Sequence, residues 1–243
     1  MTAESRKQPK SRVQLTWLGH SAFQAISPNG KIVLFDPWLD NPKAPAGSKE
    51  IARADLILIS HGHSDHIGNT VEIAKRTNAT VLAIFEVYMY FKSCGVTYAQ
   101  GMNKGGTVNI EGIKVTMVDA KHSSDIDVNG TVIPGGEAAG FVVEFENGTK
   151  IYHAGDTSLF MDMKLIGQLH KPDIALLPIG DLYTMNPMAA AKACEWLNPK
   201  HIIGMHYGTF PALTGTPEEL RKNLPKRMRP RVLELQPGSP ANL

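Results

Sequence analysis

Three histidines and one aspartate fall within six positions, His61-Gly62-His63-Ser64-Asp65-His66, directly after the apolar run Ile57-Leu58-Ile59. Imidazole is the commonest protein metal ligand near neutral pH. A loop held by a sheet can aim several such groups at one point. Polar residues just past an apolar segment recur at His20, His122, Asp156 and His206. The candidate donors are five imidazoles (His61, His63, His66, His122, His206) and two carboxylates (Asp65, Asp156). That set exceeds the four ligands of a tetrahedral zinc and suits two adjacent divalent ions, each with an open coordination position. All donors are N or O, which excludes a thiolate site and suits zinc, manganese, iron or nickel alike, with zinc taken as the first candidate.

The remaining polar residues near these motifs take supporting roles. Asp65 is expected both to ligate and to orient a nucleophile, and His20 to contact substrate or pass a proton to the leaving group. These two are the candidate catalytic residues. Asp156 follows Ala154-Gly155, where an aspartate often braces a turn; a dinuclear site needs a bridging carboxylate, and Asp156 is the candidate. His153 sits inside a strand and reads as a buried hydrogen-bonding partner. Asp36 and Asp181 are expected to accept from metal-bound imidazoles and hold them in one tautomer. His170 and His201 lie beside Pro172 and Pro199 in connections and read as surface residues. Nothing points to an organic cofactor.

The elements that must carry these groups are legible in the pattern. Strands are expected over 14–18, 22–27, 31–36, 56–60, 80–84, 108–110, 113–119, 140–145, 150–152, 174–177, 201–205 and 232–235. The segments around Ser27-Pro28-Asn29-Gly30 and Glu146-Asn147-Gly148 read as hairpin turns. Helices are expected over 67–76, 86–93, 162–169 and 187–197, with a last one opening at Thr216-Pro217. Loops are expected over 41–48 and between Ser124 and Gly140. Each half of the chain runs as a meander first and then alternates strand with helix. No Gly-, Ser- or Pro-rich linker divides the halves, so 13–243 reads as one domain of two sheets flanked by helices, with 1–12 a disordered tail.

Composition sets the wider bounds. The 243 residues are 42% hydrophobic and 20% charged, enough for a sizeable core. A formal net charge of +2 is too mild to argue for a nucleic-acid partner. The one dense basic stretch, Arg221, Lys222, Lys226, Arg227, Arg229 and Arg231, reads as a solvated face. Cys94 and Cys194 stand far apart with no CxxC, which points to a reduced, cytoplasmic protein. No secretory signal or membrane-crossing run is present, so no membrane partner is expected.

The motifs taken together resemble the metallo-β-lactamase fold superfamily: the His61–His66 block, His122, Gly155-Asp156-Thr157 and His206. Within it, Gly19-His20-Ser21-Ala22-Phe23, Phe35-Asp36-Pro37, Leu177-Pro178-Ile179-Gly180-Asp181 and His206-Tyr207-Gly208-Thr209-Phe210 look like a branch of uncharacterised metal-dependent hydrolases related to L-ascorbate-6-phosphate lactonase. The resemblance implies an α+β, four-layer αβ/βα sandwich with the site at the edge between its halves. It also implies His61, His63 and His122 on a first metal, Asp65, His66 and His206 on a second, and Asp156 bridging. The activity implied is hydrolysis of a small-molecule ester, lactone, amide or phosphoester by a metal-bridging hydroxide. Asn186 stands where this branch often has glycine. Relatives in the branch are often assemblies, so a homo-oligomer is open.

Three competing readings are weaker. A phosphodiesterase or nuclease of the same fold would be expected to add a dense basic surface or a gripping insertion. A diiron redox enzyme of this fold typically has glutamate where His63 stands, together with a flavin domain. A scaffold without activity has no need of seven intact ligands.

Overall fold

Apolar runs in the chain become strands of two mixed sheets, described over residues 12–243 in this computed structural model. The strands are β1 (Gln14–Trp17), β2 (Phe23–Ile26), β3 (Ile32–Phe35), β4 (Leu56–Ile59), β5 (Thr80–Ile84), β6 (Ala99–Met102), β7 (Thr107–Ile110), β8 (Ile113–Asp119), β9 (Ile126–Val128), β10 (Thr131–Ile133), β11 (Ala139–Glu144), β12 (Lys150–His153), β13 (Ile174–Pro178), β14 (His201–Met205) and β15 (Pro240–Asn242). The helices are α1 (Ser64–Ile67), α2 (Thr70–Thr77), α3 (Phe85–Ser93), α4 (Met163–His170), α5 (Pro187–Leu197) and α6 (Pro217–Asn223). A seven-stranded sheet has the order β15-β1-β2-β3-β4-β5-β6, a six-stranded sheet the order β14-β13-β12-β11-β8-β7, and β9 and β10 form a separate hairpin. The tail expected over 1–12 lies, except for Arg12, outside the described residues.

The two sheets share one core. Leu15, Phe23 and Leu34 of the first sheet belong to the same buried cluster as Phe141, Val143 and Ile151 of the second, and α2 and α3 join it through Ile73 and Phe91. A second cluster lies under the other helices, where Tyr152, Leu177 and Ile202 pack with Met163 and Ile166 of α4, Cys194 and Leu197 of α5 and Leu220 of α6. Strand β12 shows the two-residue period that makes this layering work. Ile151 faces the first cluster and Tyr152 the second, while the His153 ring stacks on Phe35 of the opposite sheet at 5.2 Å. Each large apolar side chain buried this way contributes roughly 1.5–3 kcal/mol. Helices on both outer faces complete the four-layer sandwich.

Strand direction decides where the site forms. Strands β1 and β3 are each antiparallel to β2, and β4 is parallel to β3, so β1, β3 and β4 run the same way. In the second sheet β8 and β12 are each antiparallel to β11, and β14 follows β12 through two parallel pairings. The chain therefore leaves all six of these strands into loops above one edge of the sandwich. Those loops carry His20, Asp36, His61, His122, Asp156 and His206.

Four expectations need correction. The helix expected over 67–76 is two helices broken at Gly68-Asn69. Gly68 has φ +42°, and a Cβ there would come 2.4 Å from Trp38 Cα, so the backbone turns where only glycine fits. Asn69 holds the break by accepting from the Leu39 N–H at 2.7 Å. The strand expected over 232–235 is reduced to a single bridge between Val232 and Ile202, and the edge strand that pairs with β1 is β15. The loop expected between Ser124 and Gly140 contains the β9–β10 hairpin. Strand β6, parallel to β5, was not expected at all.

Candidate metal centre

The His61–His66 block leaves β4 and enters α1 at once, which turns its three imidazoles and one carboxylate about one point. Gly62 is required within it, because a Cβ there would sit 2.1 Å from the Ser124 carbonyl. Gly155 is required in the opposite loop, with φ +61° and only 2.7 Å from a notional Cβ to Ala139 O and to Ser60 Cβ. His20, Asp36 and His206 adopt φ of 50°, 41° and 55°, left-handed values costly for residues with a side chain. Such strain, clustered at strand ends around one spot, marks the place where the fold gives up stability to position groups.

Three donor groups converge there, each with ligand atoms within 4.8 Å of one another: His61, His63 and His122; His61, His66 and Asp156; and His20, Asp65, His66 and His206. Asp156 is the hub. Its Oδ2 lies 2.9 Å from His206 Nε2, 3.3 Å from His66 Nε2 and 3.7 Å from His122 Nε2. His61 Nε2 faces His63 Nδ1 at 2.9 Å. All seven residues expected as ligands are brought together. His61, His66, Asp156 and His206 are buried, while Asp65, with its side chain 27% exposed, reaches the open side.

The outward-facing nitrogens are held by residues behind the site. Asp36 Oδ2 accepts from His66 Nδ1 at 2.8 Å and from the Ser60 hydroxyl at 2.6 Å, and Asp36 Oδ1 accepts from the Ser60 N–H at 2.8 Å. With its proton committed to Asp36, Ser60 Oγ accepts from His61 Nδ1 at 2.9 Å. Both imidazoles are thereby oriented with Nδ1 turned outward and Nε2 toward the centre, the arrangement that metal-binding histidines use. Ser123 Oγ stands 3.2 Å from His63 Nε2. Asp36 thus takes the place expected for it. Asp181 does not: it is exposed and accepts from the Leu182 N–H, with no imidazole bonded to it among the described residues. His153 is a buried hydrogen-bonding partner, 3.0 Å from Ser21 O. His170 and His201 are partly exposed. Asn186 accepts from the Ala189 N–H at 2.9 Å and caps α5.

His20 is the residue expected to contact substrate or pass a proton to the leaving group. It is fully buried, and its two ring nitrogens are taken up by Thr209 Oγ1 at 2.9 Å and Asp65 Oδ2 at 3.1 Å. Ser60, Ser123 and Thr209 are the functional neighbours that the sequence reading missed. Only Ser60 carried a signal, as the polar residue between an apolar strand and the first histidine.

The donors fit a divalent cation on two observations. Buried His66 Nε2 and Asp156 Oδ1 have no hydrogen-bond partner among the described residues, and such orphaned groups are rare and costly. The 3.3 Å approach of His66 to Asp156 Oδ2 is a charge contact without hydrogen-bond geometry. Charge is concentrated in the same spot. Burial opposes ionisation of both partners. Even so, Asp156, Asp65 and Asp36 raise the His66 pKa well above its ordinary value, while His66 and His206 hold Asp156 well below the usual carboxylate range.

Burial pushes His61, His63, His122 and His153 below the ordinary histidine pKa and lowers His20 to about 4. As pH falls below about 6.5, the unfolded chain protonates these five rings before the folded chain does, and His20 resists down to about 4. The unfolded state then binds more protons, and stability falls as pH falls. His66 is shifted the opposite way, so its contribution is already complete below the ordinary histidine pKa and does not offset the trend. Urea denaturation of metal-free protein is expected to give a lower midpoint at pH 5 than at pH 6.5; an unchanged or higher midpoint would contradict the burial of neutral imidazoles.

Residues 14–206 match the family model of the β-lactamase superfamily domain, and the chain belongs to that superfamily as a metal-dependent hydrolase of the metallo-β-lactamase fold. Within it, the similarity is to proteins named UPF0173 metal-dependent hydrolases. The chain is 49% identical to one from Rubrobacter xylanophilus over 212 residues, 86% of this chain and 88% of the relative. It is 48% identical to one from Methanosarcina barkeri over 232 residues, 95% and 99% of the two chains. Among solved structures, Igni18, a novel metallo hydrolase from Ignicoccus hospitalis, superposes with a TM-score of 0.84 at 34% identity, covering 96% of this chain and 99% of that one.

Proposed function

We propose that the chain is a dinuclear metal-dependent hydrolase acting on a small-molecule ester, lactone, amide or phosphoester. The observation that carries this reading is Asp156 Oδ2, set within 2.9–3.7 Å of three imidazole nitrogens from three different loops. A carboxylate so placed suits the bridge between two ions. His61, His63 and His122 would hold the first ion, Asp65, His66 and His206 the second, with zinc the first candidate and manganese, iron or nickel the others. When bound, the ions supply Lewis acidity and lower the pKa of water from 15.7 to about 7.

The chain's own residues divide the remaining work. Asp36 and Ser60 keep Nε2 of His61 and His66 available as donors. Asp65, reaching the open side, is positioned to orient an attacking water by accepting its hydrogen bond. The buried ring of His61, His66, Asp156 and His206 excludes bulk water from the inner face of the site, where charge interactions are strongest.

A small-molecule substrate, with no nucleic acid, is favoured by the basic C-terminal stretch. Arg221 pairs with Glu234 and Lys222 with Glu218, while Arg229 donates to the carbonyls of Leu224 and Lys222 and Arg231 to Asn198 and Pro199, so these side chains are held against the fold. No helix among the described residues is long and apolar enough to cross a membrane, and a cytoplasmic location is the reading that goes with two unpaired cysteines.

Purified protein reconstituted separately with zinc, manganese, iron and nickel should be assayed on lactones, esters, amides, thioesters and phosphodiesters. Turnover of at least one class, abolished by chelation and restored by metal, is the expected result. Failure of all classes with all four metals would sink the hydrolase reading for these substrates.

A further inference from the structure

Of the imidazoles gathered at the site, His20 alone has no part in the ligand assignment, yet its surroundings are the most completely specified. On its outer side Trp38 and Phe210 meet its ring at 5.2 and 6.0 Å and stack on each other at 5.9 Å. On the inner side lie the rings of His206 at 4.0 Å and His66 at 5.8 Å. Its carbonyl accepts from the His206 N–H at 3.1 Å and from Trp17 Nε1 at 2.9 Å, which pins the left-handed backbone at this position. Loops from both sheets are thus tied together at one residue.

The side-chain bonds select one tautomer. An ionised carboxylate only accepts hydrogen bonds, so the proton belongs on Nε2, which donates to Asp65 Oδ2 across 3.1 Å. Nδ1 is then an acceptor, and the Thr209 hydroxyl donates to it across 2.9 Å. The other tautomer would set a lone pair against an anion. The His20 end of this bond is fully buried among rings, while the Asp65 end reaches the open side.

We propose that His20 is a positioning residue that locks the Asp65 carboxylate through its Nε2–H, with Thr209 selecting the tautomer. It is neither a group that touches substrate nor a further metal donor. The proposal rests on the reading of Asp65 as a ligand of the second ion. The donor reading is a real competitor, since His20 lies in the same 4.8 Å group as Asp65, His66 and His206.

A cobalt(II) titration separates the two, read by the visible spectrum and by ions retained per chain after dialysis, on wild type, H20A, H20Q and T209V. The glutamine amide can return an N–H close to the Nε2 position but is a poor ligand for a transition metal. H20A is expected to lose about 10–100-fold in affinity at the weaker position, H20Q to recover most of that loss with a spectrum like wild type, and T209V to fall between. Wild-type affinity in H20A or in T209V would overturn the proposal. So would H20Q as deficient as H20A, which would make His20 a ligand. Should H20A fail to fold, T209V and H20Q carry the same contrast. A wild type that takes up one ion would defeat the dinuclear reading separately, and the same contrast on that ion would still decide the role of His20.

Discussion

Replacing Asp156 with alanine is expected to empty both metal positions and remove nearly all turnover. Asp156 Oδ2 is a carboxylate oxygen within 4 Å of nitrogens from both proposed ligand sets: His122 at 3.7 Å, and His66 and His206 at 3.3 and 2.9 Å. Removing it takes a negative charge from between two cations and leaves buried His66 facing a void. The loss of water activation alone spans the difference between a pKa of 15.7 and one of about 7. A fall of at least about a thousandfold in turnover follows, the scale reached when a main electrostatic group of an active site is removed. Retained metal should drop below one ion per chain. Asp156→Asn tests charge separately from shape and should also fail, because an amide cannot neutralise two cations. Full metal content in either variant would show that Asp156 does not bridge.

The second large effect is expected at Asp36, which touches no metal in the proposed assignment. Its carboxylate accepts from His66 Nδ1, the Ser60 hydroxyl and the Ser60 N–H at 2.8, 2.6 and 2.8 Å. Through Ser60 it also sets His61, so one carboxylate orients a ligand in each set. Asp36→Asn keeps the volume but can place an N–H against His66 Nδ1 or the Ser60 hydroxyl. Metal affinity is expected to fall by about 10–100-fold, measured by competition with a chromophoric chelator, and both ions should weaken together. Weakening of only one would show that Ser60 holds His61 without help from Asp36. Asp36→Ala adds a cost to folding of about 3–5 kcal/mol, because a buried charged partner is left unpaired.

The proposed ligands were the most legible part of the molecule because their chemistry and their position coincide. A histidine or aspartate just past an apolar run sits at a strand end, and strands running the same way bring such ends to one edge. The same reasoning misplaced Asp181 and did not foresee the surroundings of His20. Asp181 also follows a strand, but its loop turns outward through two consecutive left-handed residues, with φ of 66° at Asp181 and 49° at Leu182. His20 sits at a strand end like the ligands, yet aromatic residues far away in sequence, Trp38 and Phe210, close over it. Burial imposed from a distance leaves no local pattern.

The missed elements have equally local reasons. Strand β6 reads Ala-Gln-Gly-Met and β15 reads Pro-Ala-Asn, with neither alternation nor branched residues; both are edge strands made by docking against a neighbour. Strands β9 and β10 are three residues each around Asn129-Gly130, a turn signal inside a segment otherwise rich in polar residues and glycine. By contrast the bounds of α5 and β14 match the sequence expectation, since Asn186-Pro187 opens the helix and apolar residues fill the strand.

The most direct test of the dinuclear centre is elemental analysis of the wild-type chain after reconstitution with zinc and removal of loosely held metal, with protein quantified by amino-acid analysis. Two ions per chain are predicted, falling to fewer than one in Asp156→Ala. A wild type that saturates at one ion or fewer would contradict the centre described here.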